Sequence, residues 1–145
     1  MFENFSVRHI PSLFIAAATT FGGLVAFFDA EYAIEGFGLP RRIACSKEAQ
    51  AVMILSSTRT TAIGATIFAF YFQDKFAEVD VIMAILGAYV GAVDGHVCWR
   101  EGMPGKAIFH ATLGLVIAAV GWLGLTEGVV EKIEHRAGST LEKAW

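Results

Sequence analysis

The sequence predicts an all-α fold, a polytopic membrane protein built as a bundle of four transmembrane helices. Two observations carry this. Of the 145 residues, 55% are hydrophobic and only 17% charged, with a mean hydropathy of +0.56, whereas a soluble domain carries about 25% charged residues to wet its surface. In addition, four separate segments approach the ~20 mostly apolar residues needed to cross a hydrocarbon core of roughly 30 Å.

The first segment runs from about Pro11 to Phe28. Pro11 suits a helix start, because the N–H it lacks would be unpaired there. Arg8 ahead of an apolar run is also how a cleaved signal peptide begins. No A-x-A-like site follows, however, and Asp29 and Glu31 stand where small neutral residues are needed, so the segment is read as a helix. The second segment runs from about Glu48 to Phe72, with Ser46 as its N-cap and Glu48 in its first turn. The third spans about Val79 to Trp99 and the fourth about Ala107 to Leu125.

An even count puts both termini on one side of the membrane, called side A; the loops after the first and third spans lie on side B. Residues 1–145 form one domain. The connection from Asp29 to Lys47 carries Gly36, Gly38 and Pro40 among Tyr32, Ile34, Phe37 and Leu39, and is a candidate lid over the bundle. Residues 126–145 form a polar tail with Val129, Val130, Ile133 and Leu141 at loose helical spacing. Arg8, Lys75, Lys132, Arg136 and Lys143 on side A balance Arg41, Arg42, Lys47, Arg100 and Lys106 on side B, so the positive-inside rule gives no orientation.

Composition also excludes. A net charge of -3 with scattered basic residues lacks the footprint of a nucleic-acid binder. Cys45 and Cys98 are too few for a disulfide scaffold and lack zinc-ligand spacing. There is no GxGxxG opening a helix after a strand, no P-loop and no haem-attachment motif, so no cofactor is expected.

Helices in lipid associate by close packing, which small residues at four-residue spacing allow. Gly87, Gly91 and Gly95 form a doubled GxxxG on the third span; Ala18, Gly22 and Ala26 line a stripe of the first, and Ala107, Ala111 and Gly114 one of the fourth. Packing inside the bundle is the favoured use of the glycine face, and a homo-oligomer through Gly87, Gly91 and Gly95 is the competing one. The second span carries Ser56, Ser57, Thr58, Thr60, Thr61 and Thr66, whose hydroxyls can bond carbonyls of their own helix. A helix this polar is expected to turn toward the bundle, together with Arg59.

Charged groups in the apolar layer are costly and normally face the interior in pairs. Arg59 lies roughly 16 Å along its helix from Glu48. Asp94 sits near the side B end of the third span, and His96 and His110 are equidistant from Met103, the centre of the hairpin that joins the third and fourth. Arg59, Asp94, His96 and His110 therefore share one layer, with Asp29, Glu35 and Glu101 arriving from the adjoining loops. Asp94 and His96, two residues apart, point about 200° away from each other on a regular helix. Asp94 and His110 are accordingly the expected acid/base pair, with Arg59 holding Asp94 ionised or binding an anionic substrate oxygen. His96, Glu101 and Asp29 are the expected substrate-binding positions. The blander readings are a structural Arg59–Asp94 ion pair, an interhelical hydrogen bond from His110 and an interfacial His96. The divergence of Asp94 and His96 argues against a metal site, and Cys98 reads as an inert thiol rather than a nucleophile.

Four short stretches carry a resemblance: S-T-R-T-T-A-I-G (Ser57 to Gly64), A-V-D-G-H-V (Ala92 to Val97), E-G-M-P-G-K-A (Glu101 to Ala107) and H-A-T (His110 to Thr112). Through them the chain resembles the small, functionally uncharacterised four-helix membrane domain common in filamentous fungi, some members of which are linked to secondary-metabolite biosynthesis. More loosely it is similar to DoxX-like and sterol-isomerase-type membrane proteins. The resemblance implies Arg59, Asp94 and His110 as the positions to carry over, and supplies no settled reaction.

The expected function is an integral membrane enzyme, in the endoplasmic reticulum or another endomembrane. It would isomerise or cyclise a lipophilic small molecule such as a polyketide or terpenoid by general acid–base catalysis, with hydrolysis as the nearest variant. The alternative is a non-catalytic scaffold or small transporter subunit in which the Arg59–Asp94 pair sets helix register.

Overall fold

The computed structural model describes residues 6–128, so the tail residues 129–145 lie outside the described part. A single 3-10 turn, Val7–His9, leads into α1 (Ile10–Phe28), with Pro11 in its first turn. Asp29 adopts an extended backbone that ends α1. Its carboxylate accepts a hydrogen bond from the Tyr32 N–H at 2.9 Å, which caps α2 (Ala30–Phe37). Gly38, at φ 114°, stops α2 in the left-handed conformation that glycine adopts without a Cβ penalty, and Pro40 precedes the short α3 (Arg41–Ala44).

Ser46 caps α4 (Lys47–Tyr71), its hydroxyl accepting from the Ala49 N–H at 3.2 Å, as the sequence indicates. The third rod is α5 (Phe76–Ile85), a π-turn (Leu86–Val90) and α6 (Gly91–Arg100); α7 (Pro104–Trp122) is the fourth. Four helices are long and apolar enough to cross a membrane: Val7–Phe28, Lys47–Tyr71, Phe76–Arg100 and Pro104–Trp122. The protein is an all-α integral membrane protein. Hydropathy places the fourth span about three residues too late, because Pro104 opens the helix as its first residue and Gly124, at φ 66°, follows its end.

The rods pair as two hairpins, α1 with α4 and the third rod with α7. In the first hairpin, Gly23 faces Thr61 and the Ser57 carbonyl, and Gly64 faces Thr20 and the Ala16 carbonyl. The Thr61 hydroxyl donates to the Thr20 carbonyl at 3.3 Å. The contact stripe of α1 is therefore Ala16, Thr20 and Gly23 rather than Ala18, Gly22 and Ala26: Ala18 and Gly22 are exposed, though Ala26 is buried. Small residues crowd this helix so closely that spacing alone fits both stripes, and the decision rests with the grooves of α4.

In the second hairpin, Gly87, Gly91 and Gly95 all lie against the backbone of α7. A Cβ on Gly91 would come within 2.5 Å of the Gly114 Cα, and one on Gly95 within 3.1 Å of the Ala107 carbonyl. The doubled GxxxG is thus covered by the chain's own α7, and that face is not open to a second copy. Residues repeating every four drift by about 40° per step on a regular helix. The wider i→i+5 winding of Leu86–Val90 underwinds the rod where Gly87 leads to Gly91, which keeps both glycines on the α7 side.

Gly91→Leu should force α6 off α7 and cost more than the ~1–3 kcal/mol of ordinary overpacking, because the obstacle is backbone. Gly105→Ala, where a Cβ meets nothing within 4 Å, should be neutral or stabilising by up to ~1 kcal/mol. Thermal unfolding of the two variants in detergent checks the contrast.

The hairpins join at side A. Ala16, Ile67, Tyr71, Val79 and Met83 form a buried apolar cluster across α1, α4 and α5. Below it lies a polar node. Asp80, 2% exposed, accepts from the Thr126 N–H at 3.1 Å and the Glu127 N–H at 2.8 Å, and the Thr126 hydroxyl meets that of Ser12 on α1 at 2.5 Å. His9, fully buried, shares a 3.0 Å hydrogen bond between its Nδ1 and the Tyr71 hydroxyl. This node fastens the chain after α7 to α1 and α5. At side B, among the described residues, no buried polar node joins the rods directly; α2 and α3 bridge them instead.

Candidate functional site

The gap between the hairpins at side B is a cavity of about 440 Å³, within the range of small-molecule sites. Gly22 and Val25 of α1 and Ser56, Ser57 and Thr60 of α4 line one wall; Val90, Asp94 and His110 line the other. Tyr32 and Phe37 of α2 close the top. The segment expected to act as a lid thus does roof the bundle.

His110 is held from above. Its Nε2 lies 2.7 Å from the carbonyl of Phe37, and since a carbonyl only accepts, Nε2 carries the proton and donates. That carbonyl belongs to the last turn of α2, where carbonyls have no partner within their own helix. One turn earlier on α7, Lys106 donates to the Gly36 carbonyl at 3.2 Å. The i and i+4 positions of α7 therefore cap the C-terminus of the roof helix together. The Phe37 and His110 rings also pack, with centroids 4.6 Å apart. In the neutral ring this arrangement fixes the tautomer and leaves Nδ1 as the nitrogen with a lone pair.

Asp94 is half-buried and on the cavity lining with His110. His96 is exposed and does not line the cavity, so the two side chains diverge as helical geometry requires. Arg59 does not join Asp94. It is exposed, lines no part of the cavity and forms no ion pair with Asp94. The reason is angular: Met53, Ser56, Ser57 and Thr60 put the cavity face of α4 some 110° away from Arg59 at 100° per residue. The hydroxyls that were expected to turn this helix inward are partly satisfied in place. Thr58, Thr60 and Thr66 donate to the carbonyls of Ile54, Ser56 and Ala62 at 3.0, 3.2 and 2.8 Å.

The other expected substrate-binding positions serve the roof. Asp29 is the N-cap of α2. Glu101 is in an ion pair with Arg42, tying the loop before α7 to α3. Glu35 lies 3.9 Å from Arg41 in an exposed pair. None of these carboxylates lines the cavity. Cys98 is fully buried, and among the described residues no group of three or more His, Cys, Asp or Glu side chains is placed to hold a metal ion.

The side A node of His9, Ser12, Asp80 and Thr126 escapes sequence reasoning, although a signal exists: Asp80 is a carboxylate inside an apolar segment and needs buried donors. Those donors are backbone N–H groups beyond α7, which no motif announces.

No curated protein and no solved structure matches the chain. The family model for a domain of unknown function, DUF4267, matches residues 16–124; that stretch contains both cavity-bearing hairpins apart from the first six residues of α1, and the chain belongs to this family.

Proposed function

We propose that the protein is a membrane-embedded enzyme that moves a proton on a lipophilic small molecule, isomerising or cyclising it. The observation that carries this reading is the cavity itself, whose lining holds one carboxylate, Asp94, and one imidazole, His110, among apolar and hydroxyl-bearing side chains. An isomerisation takes a proton from one carbon and returns a proton to another, so one base and one acid balance it without a co-reactant. Nδ1 of His110 supplies the base, held in position by the Phe37 carbonyl; Asp94, on the same wall of the cavity, supplies the second proton-transfer group.

The chain's resemblance to fungal membrane domains linked with secondary metabolism supports a polyketide or terpenoid substrate and an endomembrane location such as the endoplasmic reticulum. The Arg59–Asp94 pair by which a non-catalytic scaffold or small transporter subunit would set helix register is not formed.

Microsomes with and without the protein, given candidate polyketide and terpenoid intermediates in deuterated water, test the proposal. Protein-dependent product carrying deuterium at the shifted position supports it. Product without deuterium, or no protein-dependent turnover across both classes, removes it.

A further inference from the structure

Arg59 stands at the midpoint of α4, twelve residues from Lys47 and twelve from Tyr71, about 18 Å from either end at 1.5 Å per residue. It is exposed, and among the described residues it makes no hydrogen bond or ion pair. A guanidinium stays charged, and within a membrane it needs an anion or a water-filled cavity beside it.

Helical side chains run back toward the helix N-terminus and cover the turn before their own Cα. For Arg59 that turn holds Leu55 and Ser56, and the N-terminus of α4 is its side B end. Ser56 lines the cavity and is exposed; Val90, on the third rod, also lines it and is exposed. Gly22, Val25, Tyr32 and Gly36 are exposed lining residues on other sides, but Ser56, three residues before Arg59 on α4, puts this edge of the cavity within reach of the Arg59 side chain.

We propose that Arg59 is an anion-binding subsite at this edge of the cavity, and that the substrate is a lipophilic carboxylic acid. Its carboxylate is held by the guanidinium while its apolar body passes between α4 and the third rod toward Asp94 and His110. Naming the acid as substrate rests on the acid–base reading above; the anion subsite does not. A carboxylate matches the planar two-pronged donor set of arginine.

Two other occupants fit less well. A second copy packed two-fold on this face would bring Arg59 against Arg59, in either relative orientation, because the residue is at mid-helix. A phospholipid phosphate rides at the interface, roughly 15 Å from the bilayer midplane.

The test is binding without turnover. The full chain in phosphatidylcholine nanodiscs is titrated with the fluorescent long-chain cis-parinaric acid and with its methyl ester, each measured against protein-free nanodiscs. Wild type is expected to prefer the acid by about ten-fold or more. R59Q should bring the preference close to unity while ester binding persists, and R59M serves the same purpose if R59Q does not fold. D94N should keep the preference, so loss of the acid–base reading would show as an active D94N enzyme and leave the anion subsite standing. Equal binding of acid and ester by wild type, or a preference that survives removal of the charge, overturns the subsite. A wild-type dimer that R59Q converts to monomer also overturns it, since a protein carboxylate would then be the anion.

Discussion

Asp94→Asn and His110→Gln should each lower protein-dependent product formation by about 10²–10⁴-fold, the usual contribution of a positioned acid or base. The two residues lie on the same wall of one cavity, and neither belongs to the apolar cluster or the side A node. Detergent-solubilised Asp94→Asn should therefore elute and melt like wild type. His110 needs a further control because it also holds the Phe37 carbonyl at the end of α2. Trypsin reports on this, since Arg41 and Arg42 are exposed just beyond the roof. His110→Gln with unchanged cleavage there and lost turnover assigns the loss to chemistry; faster cleavage with turnover to match assigns it to the roof. Full activity in Asp94→Asn would remove the carboxylate from the mechanism.

The second large effect is on stability. Asp80→Ala should destabilise the fold by about 3 kcal/mol, because the buried Thr126 N–H and the part-buried Glu127 N–H both lose their carboxylate acceptor. Asp80→Asn keeps one acceptor oxygen and should cost less. Thr126→Val removes the hydroxyl contact with Ser12 while keeping the shape of the side chain, and should cost about 1 kcal/mol. Thermal unfolding in detergent orders the three variants. Indifference of the midpoint to Asp80→Ala would mean that the node does not fasten the hairpins. The node matters for the site because it joins the hairpins at side A, leaving the space between them at side B as a cavity rather than a closed core.

Much of the bundle is legible in the chain because its causes are local. Apolar length fixes the spans to within about three residues, Ser46 fixes the start of α4, and Pro11 opens α1. The divergence of Asp94 from His96 follows from helical angle alone. Arg59 shows where this reasoning stops. Depth places it in the layer of Asp94, but facing depends on which side of α4 meets α1, and that is chosen by the fit of Gly64 and Thr61 against Ala16, Thr20 and Gly23.

The sequence by itself determined four membrane-crossing helices, the Ser46 cap of the second, and an aspartate and a histidine at matching depth, since these depend on local capping chemistry, hydrophobic length and rise per residue. Only the tertiary structure decided that the hairpins are locked at side A and parted at side B, that α2 roofs the gap by offering its terminal carbonyls to Lys106 and His110, and that Arg59 faces outward. Those outcomes depend on contacts between residues up to 114 positions apart, where close packing of small side chains and satisfaction of buried polar groups select one arrangement among several that local pattern allows.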